Sequence, residues 1–220
     1  LKKVIKKCPT EDSLLLNRIS VPKNFNFKTY NSGKYKLYLL KQTVQKILGE
    51  IHLPPSHKNL LFIDKNAEYC DFVSEIAKSC AGIYVLTNND LKYTKLQRSL
   101  MKDLGLSLSI CTKIPNKNNV ILCIAFSDIS CYNISLMDIP TFVIDESNLN
   151  KLRIPMSIIL SKPKSFCYEN MLPEYADKID VCGAVREINN RDFDDYCEEF
   201  ILKENVINFE KLLLLLEHNT

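Results

Sequence analysis

Between residues 59 and 127 the apolar positions change period at regular intervals, and each change predicts a new element. Leu60-Leu61-Phe62-Ile63 is short, wholly apolar and closed by Asp64, the pattern of a strand buried on both faces. Tyr69, Cys70, Phe72, Val73, Ile76, Ala77 and Cys80 then share one face at helical spacing, with Glu68, Asp71, Glu75 and Lys78 outside it. Asn66 stands where it can cap that helix. Gly82 breaks the period, and Ile83-Tyr84-Val85-Leu86 reads as a second buried strand. The polar turn Thr87-Asn88-Asn89-Asp90 leads into a helix packing through Tyr93, Leu96, Leu100, Met101 and Leu104, and Gly105 sits where a left-handed cap belongs. Residues 106–111 and 120–126 supply the third and fourth strands. Strands and helices alternating at these lengths predict an α/β fold, three-layered around a mostly parallel sheet with right-handed crossovers.

The flanks are less regular. Residues 11–19 can form a short helix, and residues 21–30, with Pro22 and alternating Phe25 and Phe27, read as an extended arm ending in the turn Asn31-Ser32-Gly33. A helix is expected over 35–51, packing through Leu37, Leu40, Val44, Ile47, Leu48 and Ile51. Leu53-Pro54-Pro55-Ser56-His57 forbids its continuation and links it to the first strand. Beyond an irregular stretch at 127–138, residues 140–144 and 155–160 read as further strands. The tail is expected to be helical, first through Phe193, Tyr196, Cys197, Phe200 and Ile201, then over 206–217. Five consecutive leucines, 212–216, encircle that last helix, so it must be buried against this chain or against a second copy. The pattern divides the chain into an N-terminal extension (1–58), an α/β core (59–165) and a C-terminal helical segment (166–220), packed as one unit.

Composition narrows the class. Of 220 residues, 46% are hydrophobic and 25% charged, enough apolar surface for a full core. A net charge of +3, spread along the chain, is too small to imply nucleic acid or an acidic membrane surface as partner. Neither a spanning stretch nor a secretory leader is visible, which points to a cytoplasmic protein. The nine cysteines are an odd number, and most fall in apolar patterns without C-x-x-C, as expected for reduced thiols packed as small hydrophobes. His52, His57 and His218 have no metal-ligand spacing to them, so no metal site is expected. Cys182-Gly183, after Ile179 and Val181, reads as the end of an apolar run with no histidine near it, and no G-x-S-x-G occurs.

The order strand, helix, strand, helix, strand, strand over about residues 59–145 resembles the nucleotide-binding half of Rossmann-type, NAD(P)-binding domains. That resemblance implies a ligand crevice at the carboxyl ends of the strands. Its residues would be Asp64, Lys65, Asn66, Thr87, Asn88 and Ser127, and its ligand NAD(P) or another nucleotide. The glycine-rich phosphate loop is missing: the turn reads Asp64-Lys65-Asn66-Ala67-Glu68, where two acids would repel a diphosphate. The ribose-binding acid is replaced by Thr87 and Asn88. The resulting expectation is a binding or scaffolding module with a degenerate nucleotide site and no assigned catalytic residue. Its rival is an enzyme working at the same strand ends, with a nucleotide cofactor or with magnesium and phosphate held by Asp64, Asp128 and Asp145. Lys162-Pro163 after a late strand is similar to phospho-receiver domains, but the third strand ends in Thr112-Lys113 where they carry an aspartate.

Overall fold

A computed structural model describes residues 32–115, 120–126, 139–144, 156–167, 177–189 and 195–218. The fold is α/β. Eight strands form one sheet: β1 (Asn59–Ile63), β2 (Gly82–Leu86), β3 (Ser107–Cys111), β4 (Leu122–Ala125), β5 (Thr141–Val143), β6 (Ser157–Pro163), β7 (Cys197–Leu202) and β8 (Asn205–Asn208). Among the described residues five α-helices accompany it: α1 (Gly33–Glu50), α2 (Cys70–Ala77), α3 (Asp90–Leu104), α4 (Lys178–Asn189) and α5 (Phe209–His218).

The strand order is β3-β2-β1-β4-β5-β6-β7-β8. The first six strands are parallel, and β7 and β8 add an antiparallel hairpin at one edge. An order of 3-2-1-4-5-6 is the one doubly wound dinucleotide-binding sheets use, so the sheet is compatible with a Rossmann-like arrangement. Direction reverses between β1 and β4, and the crevice of such a sheet lies at that switch.

Strand burial follows the apolar runs. Leu60, Leu61, Phe62 and Ile63 are all fully buried, as are Leu122, Cys123 and Ile124. Leu60, Phe62, Ile83, Val85 and Ile124 face a cluster to which all five helices contribute. Leu61, Ile63, Leu86, Cys123, Ala125 and Val143 form a second cluster on the opposite face, to which no described helix contributes. The described residues thus show the sheet and the helical layer on one of its faces. Connections from β4 to β5 and from β5 to β6 lie outside them, as do the helix expected at 11–19 and the arm at 21–30.

Helix ends follow local chemistry. Gly105 stops α3 with φ +65°, its N–H reaching the Met101 carbonyl at 3.1 Å. Helix α2 begins only at Cys70, and Tyr69 at its N-cap makes no side-chain cap. Asn66 does not take the capping role expected of it. Its side chain donates instead to Glu68 Oε1 at 3.1 Å, because the amides of Glu68 and Tyr69 are already bonded to Asp64.

The tail departs most from expectation. Residues 197–202 form β7, not a helix: Tyr196, Cys197, Phe200 and Ile201 imitate helical spacing, yet only Cys197 and Phe200 within the strand are buried. The irregular register opposite β6, between Leu160 and Pro163, breaks the two-residue alternation that would have identified the strand. The hairpin turn is equally concealed. Lys203 and Glu204 take φ +48° and +69°, a two-residue connection normally marked by Asn-Gly. Residues 179–183, read as an apolar run with a thiol at a strand end, lie inside α4 with Cys182 buried. On α5 the leucines do not encircle a buried helix. Leu212 and Leu216 are fully buried with Phe209, whereas Leu214 is 54% exposed. Lys162 and Pro163 belong to β6 itself rather than to a loop after it.

Candidate functional site

The site builds outward from one buried carboxylate. Asp64 follows β1 directly and is fully buried. Its Oδ1 accepts the Glu68 amide at 3.1 Å, and its Oδ2 accepts the Tyr69 amide at 2.8 Å and the Tyr93 hydroxyl at 2.8 Å. Its backbone carbonyl takes the Ala67 amide at 3.2 Å. The turn is thereby wound around its own acid. Ala67, buried with φ +55°, occupies a left-handed conformation that normally favours glycine. Its carbonyl is held by Lys92 Nζ at 3.0 Å. The turn keeps a glycine-like bend without a glycine, held by a carboxylate and an ammonium.

Thr87 and Asn88, at the end of β2, are joined to the same turn. The Asn88 amide donates to the Lys65 carbonyl at 2.9 Å, and Thr87 Oγ1 donates to it at 3.3 Å. Thr87 Oγ1 also accepts the Asn89 amide at 3.1 Å. Asp64, Lys65, Asn66, Thr87 and Asn88 are therefore brought together, Asp64 underneath and Asn66 and Asn88 exposed at the rim. Ser127, Asp128 and Asp145 lie outside the described residues.

Phe126, expected as the last residue of the fourth strand, lies just beyond β4 beside the end of β1. It follows β4, is 7% exposed, and donates its amide to the Ile63 carbonyl at 3.0 Å, bridging the ends of β1 and β4. Its ring stacks on Tyr69 at 4.1 Å and 8°, parallel to Phe62 at 6.2 Å and edge-on to Phe72 at 5.1 Å. Tyr93 was equally missed, having been read as one more apolar contact on α3. Burial, reinforced by the Asp64 carboxylate, pushes its hydroxyl far above the ordinary tyrosine range. The same two influences raise the Cys70 thiol at the rim. An aromatic at the end of the turn, Tyr69, and another just after β4, Phe126, were the available signal.

A second buried carboxylate has a structural setting. Asp195 accepts the Tyr35 hydroxyl at 2.5 Å, the Ser165 hydroxyl at 2.6 Å and the Ser165 amide at 3.0 Å. Beside it Thr43 Oγ1 accepts the Cys197 amide at 2.9 Å. These bonds fasten α1 to the start of β7 and the end of β6. A narrow cavity of about 20 Å³ lies under α1, between Leu40, Phe142, Leu160 and Ile179, room for about one water.

Among the described residues no three His, Cys, Asp or Glu side chains are grouped to hold a metal ion, and no helix is long and apolar enough to cross a membrane. Neither a protein-family model nor a curated protein matches the chain.

Proposed function

We propose that this chain is a Rossmann-like binding or scaffolding module whose nucleotide crevice is closed by its own side chains. The observation that carries this reading is the state of the β1 turn. The Glu68 and Tyr69 amides, which could face a phosphate, are spent on Asp64, while Tyr69 stacks on Phe126, the residue that follows β4. A phosphate entering there would meet a buried carboxylate. A like-charge contact at about 4 Å costs roughly 4 kcal/mol at an intermediate dielectric, before the existing hydrogen bonds are broken.

Thermal melting with millimolar NAD, NADP or S-adenosylmethionine tests the proposal. A ligand present at about 100 times its Kd stabilises by about 2.7 kcal/mol, a shift of several degrees. No shift is the expected result, and a clear rise with any of the three overturns the reading.

The rival enzyme would use the same crevice with Asp64 and Lys65 as acid–base or electrostatic groups. Its magnesium form asks Asp64 to give up oxygens that already hold three donors.

Self-association through the outer face of α5 belongs to the same proposal, since Leu214 is 54% exposed and Val206 of β8 is 61% exposed. Light scattering on the intact chain and on Leu214→Lys is expected to show a larger mass for the former. Equal masses count against it.

A further inference from the structure

We propose that the groove between α3 and the free edge of β3 docks an extended peptide of acidic and apolar residues, which adds to the sheet as a further strand. This surface lies apart from the sealed crevice and gives the module a class of partner. Among the described residues, strand β3 ends the sheet and is paired on one side only, with β2. Its residues, Ser107-Leu108-Ser109-Ile110-Cys111, include none of the lysines or prolines that usually guard an open edge. The opposite edge, β8, is only four residues long and runs straight into α5.

A groove of about 480 Å³ lies along β3, walled by Arg98, Met101 and Lys102 of α3 and by Ser107 and Ser109 of the strand. At its floor Gln97 Nε2 donates to the Leu108 carbonyl at 2.6 Å. That bond already occupies the Leu108 carbonyl, so an added strand has to displace the Gln97 side chain there.

The chemistry of the walls specifies the occupant. The apolar residue of the α3 wall, Met101, is 55% exposed. Arg98 and Lys102 are exposed one helical turn apart and have no carboxylate partner among the described residues. The nearby Asp103 instead accepts the Ser99 hydroxyl at 2.9 Å. A peptide that meets β3 with its backbone, Met101 with an apolar side chain and Arg98 and Lys102 with carboxylates satisfies all three features. The chain's own 21–30 segment carries Lys23 and Lys28 and has the wrong charge for this groove.

Selection of a random dodecapeptide phage library on the purified chain tests the proposal, followed by anisotropy titration of a labelled enriched peptide. Enriched sequences are expected to alternate acidic and apolar residues. The Arg98→Glu/Lys102→Glu double variant should weaken binding at least tenfold with unchanged melting. N-methylation of alternate peptide amides should abolish binding, as strand addition requires. Failure to enrich acidic sequences, or affinity indifferent to the charge reversal, overturns the proposal. So does a fall in the chain's own light-scattering mass on charge reversal without any loss of peptide binding, which would make a second copy the occupant. A nucleotide-induced rise in melting temperature would sink the sealed-crevice reading and leave these outcomes unchanged.

Discussion

Asp64→Ala is expected to lower the free energy of unfolding by about 3–5 kcal/mol, the range for breaking a buried, hydrogen-bonded charge site. The substitution strands the Glu68 and Tyr69 amides and the buried Tyr93 hydroxyl, all of which end on this one carboxylate. It also frees the turn that holds Ala67 at φ +55°. Asp64→Asn keeps the shape and one acceptor, so its cost should be smaller, about 2 kcal/mol. Asp71→Ala, at an exposed position of α2, serves as the control and should stay within about 0.5 kcal/mol of the parent. Urea unfolding measures all three. If Asp64→Ala and Asp71→Ala cost the same, Asp64 is not what shapes the turn, and the sealed-crevice reading loses its basis.

Stability is expected to collapse in alkali, starting near pH 9. Burial pushes the thiols of Cys123 and Cys197 up to about 12 and that of Cys182 up to about 11, against an ordinary value of 9.0. A group whose proton is held more tightly in the folded state contributes stability that is whole below its unfolded value and is lost as pH rises towards its folded one. Between pH 9 and 11 the unfolded chain therefore releases these protons while the folded chain keeps them. Each buried thiol then costs about 1.4 kcal/mol per pH unit, about 4 kcal/mol per unit for the three. Above pH 10 Tyr35 and Tyr93 join them with the same sign, since burial and a neighbouring carboxylate raise both hydroxyls. Against a typical total of 5–15 kcal/mol, the loss by about pH 11 is a large fraction of the whole. Urea midpoints from pH 7 to 11 under reducing conditions measure the slope, which Cys197→Ala should reduce by about one thiol's share. A flat profile between pH 9 and 11 would mean that these side chains are not buried in the folded protein.

The central elements were legible because their signals are local. A continuous apolar run such as 60–63 has nowhere to go but a sheet interior, and Gly105 after a helical period is a stop that needs no distant partner. The candidate rim was legible for the same reason: residues that follow parallel strands gather at one edge of the sheet. The tail was not. A strand paired through an irregular register loses its alternation, and a turn built from Lys203 and Glu204 carries none of the usual turn chemistry. Phe126 and Tyr93 were invisible as site residues because an aromatic in an apolar period looks the same whether it fills the core or closes a crevice.

The amino-acid order alone determined the alternation of strands and helices between 59 and 126, the absence of a glycine phosphate loop and the acid at the end of β1, since each depends on neighbours within one or two turns of chain. Only the tertiary structure decided what that acid does. Whether Asp64 repels a ligand, caps a helix or anchors its own turn depends on Tyr93, 29 residues away, and on a ring carried by a different strand. The hairpin's place at the sheet edge was decided there as well, because strand pairing is a contract between segments far apart in sequence and no single segment contains it.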